Sequence, residues 1–124
     1  MASTPGEMLT EYVRAFETLD PTAFVPYYNL PCMFITPTRL MAVPDAATAQ
    51  ALASELVAQA RKQGYTRTEF LGPLDCRMLS ANLAMLSGVF RRFNSTDQVI
   101  LEFGFTYILN KDDKGWRIAV VAAY

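Results

Sequence analysis

Apolar positions change their spacing halfway along this chain, and the change divides it into a helical half and a strand half. Met8, Leu9, Tyr12, Val13 and Phe16 recur at helical intervals behind Thr4-Pro5-Gly6-Glu7. That tetrapeptide has the form of a capping box: Thr4 caps, Pro5 suits the first helical position and Glu7 reaches back to the Thr4 amide. The spacing predicts a helix to about Thr18. Asp20-Pro21 repeats the start signal and predicts a short helix over 21–28, broken by Asn29-Leu30-Pro31. Residues 32–36 read as a strand stopped by Pro37, with 39–43 as its hairpin partner. Pro44-Asp45 opens the longest helix, whose stripe is Ala49, Leu52, Ala53, Leu56, Val57 and Ala60. Arg61 and Lys62 suit its C-terminal dipole and Gly64 its stop. So many alanines in the stripe predict close contact with a sheet.

Beyond residue 66 the chain reads as strands over 67–79, 83–93, 99–110 and 116–124, separated by short polar turns. Gly72-Pro73 marks a bulge or bend inside the first run. Strands of about 10 residues exceed the usual ~5–6, and sheets of that length twist and curve. The fold class that follows is α+β: a curved mixed or antiparallel sheet wrapped around about three N-terminal helices, a cone-shaped roll with an interior. No repeat, linker or low-complexity segment divides 1–124, which is read as one domain.

Composition narrows the functional classes. A chain of 124 residues supports one core, and 52% hydrophobic against 19% charged residues describes a compact globule. A net charge of −1 with scattered basic residues gives no case for nucleic acid or an anionic membrane. No apolar run approaches the ~20 residues of a membrane span. The start lacks a basic segment followed by an apolar one, so a cytoplasmic location is expected. Histidine is absent, which removes catalytic triads, imidazole bases and most zinc or iron sites. No acidic spacing suits calcium, and neither metal nor cofactor is expected. Cys32 and Cys76 read as reduced core thiols, with a disulfide or a reactive thiol as the alternatives.

Two stretches carry a family resemblance. Glu11-Tyr12-Val13-Arg14-Ala15-Phe16, followed by Leu19-Asp20-Pro21 and Phe34-Ile35-Thr36-Pro37, matches the opening of ketosteroid isomerases without a gap. Thr106-Tyr107-Ile108-Leu109-Asn110 with Gly115-Trp116-Arg117-Ile118 resembles the final hairpin of many of their relatives. In these motifs and in element order the chain resembles the nuclear-transport-factor-2-like superfamily, which includes ketosteroid isomerases and polyketide cyclase-like proteins. Ketosteroid isomerases combine a general-base Asp with an oxyanion hole of a Tyr and a protonated Asp. The resemblance puts the Tyr at Tyr12, the base at Thr36 and the protonated Asp at or near Phe105. A threonine hydroxyl cannot act as a carboxylate base, and a phenylalanine donates nothing. Steroid isomerisation by that route is not expected.

Strand alternation then assigns faces. With Phe105 inward, Val99, Leu101, Phe103, Tyr107 and Leu109 follow, as do Leu86, Gly88, Phe90 and Arg92 on the neighbouring strand. Arg92 lies near the strand end and so near the rim of the cone, where it is expected as a solvated residue, with contact to a ligand carboxylate as the alternative. The expected pocket is Tyr12, Phe16, Thr36, Phe90, Arg92, Phe103, Phe105, Tyr107 and Val120, with Tyr12 the best catalytic or ligand-orienting candidate. Tyr28, Trp116 and Tyr124 read as hydrophobic bulk with polar tips at the edges. Glu102 is expected outside; Asp75 and Glu69 follow bends that hide their direction. Val89, Phe93, Ile100 and Ile108 make the outer face too apolar to stay wet, which predicts a homodimer through it. The expected function is binding of a small hydrophobic or carbonyl-bearing molecule in a largely apolar pocket. The alternatives are an isomerase, cyclase or lyase acting beside a carbonyl and, after it, a non-catalytic dimerisation module.

Overall fold

A computed structural model describes residues 3–124. Helix α1 (Pro5–Glu17) begins where Thr4, extended, accepts the Glu7 amide on its hydroxyl at 3.2 Å. Only half of the expected capping box forms. Glu7 turns its carboxylate to Ser3, taking hydrogen bonds from the Ser3 amide and hydroxyl. The face of α1 bearing Met8, Leu9, Tyr12, Val13 and Phe16 is buried as the spacing requires. Asp20 caps the brief α2 (Pro21–Phe24) through the Thr22 amide. One 3-10 turn, Val25–Tyr27, then leads directly into β1 (Tyr28–Thr36). The short helix therefore ends earlier than its start signal suggests, and Tyr28 belongs to the sheet. Pro31 sits inside the strand, preceded by a cis peptide bond, where the sequence predicts a break.

Strand β2 (Arg39–Val43) pairs back on β1, and α3 (Ala46–Lys62) follows from an Asp45 cap that accepts the Thr48 amide at 2.8 Å. Ala49, Ala53 and Ala60 on α3 are buried. Gly64 closes this segment at φ +75, a left-handed position that favours glycine. The predicted first long strand divides into β3 (Tyr65–Phe70) and β4 (Asp75–Ser80), with Gly72 at φ +80 in the corner between them. Both pair with β5 (Leu83–Asn94), β4 along its first half and β3 along its second. Strands β6 (Val99–Asp112) and β7 (Gly115–Ala123) complete an open sheet in the order β2-β1-β7-β6-β5-β3, with β4 beside β5. Only the β1–β7 pair is parallel among the described residues.

Register separates the two faces. Leu86 opposite Tyr107, Gly88 opposite Phe105 and Phe90 opposite Phe103 point at the helices; Ser87 opposite Thr106 and Arg91 opposite Glu102 point away. Arg91 and Glu102 form an exposed ion pair at 2.8 Å. The lack of a side chain at Gly88 matters sterically, because a Cβ there would lie 3.0 Å from the Phe105 ring and 2.9 Å from Leu74. Its bareness lets the Phe105 ring settle on the sheet.

Three inward assignments fail in instructive ways. Leu101 keeps the inward parity opposite Arg92 but is exposed. Val99 does not keep it, because an extra residue at Ile100 sets Val99 opposite Phe93 on the outer face, and Ile100, expected outside, packs against the core instead. Val120 faces outward. A one-residue bulge at Ala119 leaves Leu109 opposite Ile118 but Ile108 opposite Val120, so Val121 takes the inner position against Tyr107. Cys32 is buried, whereas Cys76 lies on β4, which is exposed along its whole length; it is not a core thiol, and both cysteines are free. No helix among the described residues is long and apolar enough to cross a membrane.

Candidate functional site

The inner face of the sheet and α1 border a half-open cavity of about 30 Å³ lined by Tyr12, Val13, Phe16, Thr68, Phe90, Arg92 and Tyr107. Five of the sequence-predicted residues meet there: Tyr12 and Phe16 from α1, Phe90 and Arg92 from β5, and Tyr107 from β6. Phe105 and Phe103 fill the adjoining space, with Phe90 stacked on Phe105 at 4.2 Å between centroids and tilted against Phe103 at 5.3 Å. Thr36 is exposed at the far end of β1, and Val120 is on the other face of the sheet. Neither belongs to the site. The counterpart of a catalytic base is therefore both chemically unsuited and absent from the cavity.

Tyr12 does not present a free hydroxyl. It shares a hydrogen bond of 2.5 Å with the hydroxyl of Tyr28, and both phenols are buried. The sequence places the polar tip of Tyr28 at an edge; starting β1 one residue after the 3-10 turn instead points it into the core. Burial raises the pKa of Tyr12 well above the ordinary phenol value, and the neighbouring Tyr28 adds to the effect. Burial does the same to Tyr28 and Tyr107. All three remain neutral donors at physiological pH. Because the Tyr12–Tyr28 bond is internal, Tyr12→Phe should cost about 1–3 kcal/mol by stranding the Tyr28 hydroxyl. The Tyr12→Phe/Tyr28→Phe double variant should lose clearly less than the sum of the singles. A double-mutant cycle by urea denaturation checks this, and additive losses would contradict it.

Arg92 stays partly exposed, in keeping with a place near the rim, and also packs on aromatic rings. Its guanidinium carbon lies 4.9 Å from the Phe16 centroid, 5.3 Å from Tyr65 and 5.1 Å from Phe103. Sequence reasoning missed Val13 and Thr68 in the cavity wall, Tyr65 beside Arg92, and Glu17 behind Thr68. The Tyr65 and Thr68 hydroxyls bond each other at 2.6 Å, and the Thr68 amide donates to the Glu17 carboxylate at 2.9 Å. Glu17 is also paired with Arg14 at 2.8 Å. Its position after the helical stripe was the available clue, since the last turn of α1 leans on β3. The carboxylates singled out from sequence stay outside: Glu69 pairs with Arg67 and Glu102 with Arg91, while Asp75 is exposed.

A much larger cleft of about 870 Å³ opens elsewhere, between α1, the 3-10 turn and the start of β7. Glu11, Tyr27, Lys114, Trp116 and Arg117 contribute to its wall, and the Tyr27 hydroxyl donates to Glu11 at 3.4 Å. It contains none of the sequence-predicted pocket residues, and size alone does not make it the site. Aromatic and polar groups converge in both places, and the cone interior is the one that gathers the residues singled out from the sequence.

Known proteins share this geometry. Among curated proteins, none matches the sequence. An NTF2-like protein of unknown function from Shewanella oneidensis superposes with a TM-score of 0.70 at 19% identity, over 95% of this chain and 93% of that one. A domain of unknown function with a cystatin-like fold from Nostoc punctiforme gives 0.72 at 18%, over 94% and 71%. A ketosteroid isomerase-like protein from Erwinia carotovora atroseptica gives 0.61 at 16%, over 95% and 90%. These likenesses establish the cone fold. The family model described as NTF2-like protein (DUF6841) matches residues 6–124, and the chain belongs to that family.

Proposed function

We propose that this protein is a non-catalytic dimerisation module whose cone is closed by its own side chains. The observation that carries this reading is the face of the sheet turned away from the helices. Met33, Met85, Ile108 and Val120 lie side by side across β1, β5, β6 and β7, and Val89 extends the band. All five are half-buried and stand outside the core packed on the helices. A second copy placed on this band by a two-fold axis would cover both bands at once. The interior supports the same reading: its ~30 Å³ leaves room for no more than a few heavy atoms, an order of magnitude below the ~300 Å³ of sites for drug-sized molecules.

The protein should sediment as a dimer at micromolar concentration. Ile108→Lys or Val89→Lys should raise the dissociation constant about a hundredfold or more, because each buries an unpaired charge. A wild-type monomer at that concentration would overturn the reading. Binding of a small apolar or carbonyl-bearing molecule in the cone is the second reading, favoured by the aromatic lining of the cavity. It requires the Phe90, Phe103 and Phe105 cluster to open roughly tenfold in volume. Carbonyl isomerisation or lyase chemistry has less support, since Glu69 and Glu102 stay outside, Glu17 is held by Arg14 and the Thr68 amide, and Tyr12 is tied to Tyr28.

A further inference from the structure

We propose that the cone interior holds a small monovalent carboxylate, gripped by the Arg92 guanidinium and the Tyr107 hydroxyl. This goes beyond the dimer reading and does not depend on the outer face. Arg92 points inward from β5 and lines the cavity, yet its guanidinium has neither a carboxylate partner nor a hydrogen-bond acceptor among the described residues. The Phe16, Tyr65 and Phe103 rings attract its charge through their faces but accept none of its five N–H groups in the plane of the fork. The Tyr107 hydroxyl is a second independent donor. The residue is buried, it lines the same cavity, and no group among the described residues accepts its proton.

The other groups facing this space do not supply a counter-charge. The Tyr12 hydroxyl is engaged with Tyr28, and the Tyr65 hydroxyl with Thr68. Glu17, the nearest acid on α1, is engaged by Arg14 and the Thr68 amide. A carboxylate head matches the planar Arg fork with two parallel hydrogen bonds and leaves an oxygen lone pair for a phenol. The ~30 Å³ of the cavity limits the guest to the size of formate or acetate unless the aromatic cluster moves.

The test compares thermal melts of the wild-type protein with formate or acetate against formamide or acetamide, at constant ionic strength. The acids should raise the melting temperature saturably, and their neutral isosteres should not. Arg92→Gln should weaken the acid effect by about tenfold or more, and Tyr107→Phe by several-fold, as loss of charge-assisted hydrogen bonds implies. Tyr107→Phe removes a single unpartnered hydroxyl, so it keeps the test valid if Arg92→Gln fails to fold. Equal responses to acid and amide, as a site holding only water would give, overturn the proposal. So does an acid response that Tyr107→Phe leaves unchanged together with Arg92→Gln.

Discussion

Raising the pH above about 10 should unfold this protein steeply, in a transition that releases buried phenol protons. Tyr12, Tyr28 and Tyr107 are buried together in the core, and desolvation holds the pKa of each above the ordinary phenol value. In the unfolded chain the same groups titrate near 10. Above that pH the unfolded chain has released protons that the folded chain still holds. Stability is therefore intact below pH 10 and falls as pH rises toward the folded values. Each phenol contributes up to about 1.4 kcal/mol per pH unit, so three contribute up to about 4 kcal/mol per unit. Circular dichroism and phenolate absorbance, followed together, should show these protons leaving in the same transition as the helical signal. Phenolate from all six tyrosines appearing before any loss of structure would contradict it. Tyr107→Phe should make the decline shallower.

Phe105→Ala should destabilise the fold by about 3–5 kcal/mol, the usual cost of removing a buried aromatic ring and leaving a cavity. Phe105 is wholly buried, stacked on Phe90 at 4.2 Å and 5.0 Å from the Tyr107 ring. Gly88 beneath it offers no side chain that could collapse into the gap. For a domain of this size the loss corresponds to a fall of roughly 10–20 °C in melting temperature. Leu40→Ala, at a position 73% exposed, should change stability by no more than about 0.5 kcal/mol. Calorimetry on the two variants separates them. A small effect of Phe105→Ala would show that the cone interior collapses freely, and would also strengthen the case for a ligand that displaces its rings.

The residues that punctuate the chain make most of this architecture legible. Thr4, Asp20 and Asp45 each cap the helix they precede, and Gly64 closes the α3 segment. The polar turns before β5, β6 and β7 fall where the sequence predicts them. What escapes the sequence depends on single-residue geometry or on the reach of a neighbour. Nothing in the Ile118-Ala119-Val120-Val121 run distinguishes a bulged strand from a regular one, since every residue is apolar. Tyr28 follows a Pro-containing segment that reads equally as helix. Arg92 is inward by parity, but its ring contacts depend on Phe16 and Tyr65, which arrive from distant segments. Cys76 reads as interior from its apolar neighbours, yet Met78 and Leu79 are themselves exposed on β4.

The irregularity at Ala119 makes chain length, more than side-chain identity, the sensitive variable in the last strand. Trp116 and Ile118 belong to one phase of the zigzag and Val121 to the other, and all three are interior. Removing the extra residue would bring both phases into step. It would either draw Val120 inward and expel Val121, or shift Trp116 and Ile118 out into water. Conservative exchanges among aliphatic residues in this stretch should pass almost unnoticed, whereas a single-codon deletion would turn half of the strand inside out.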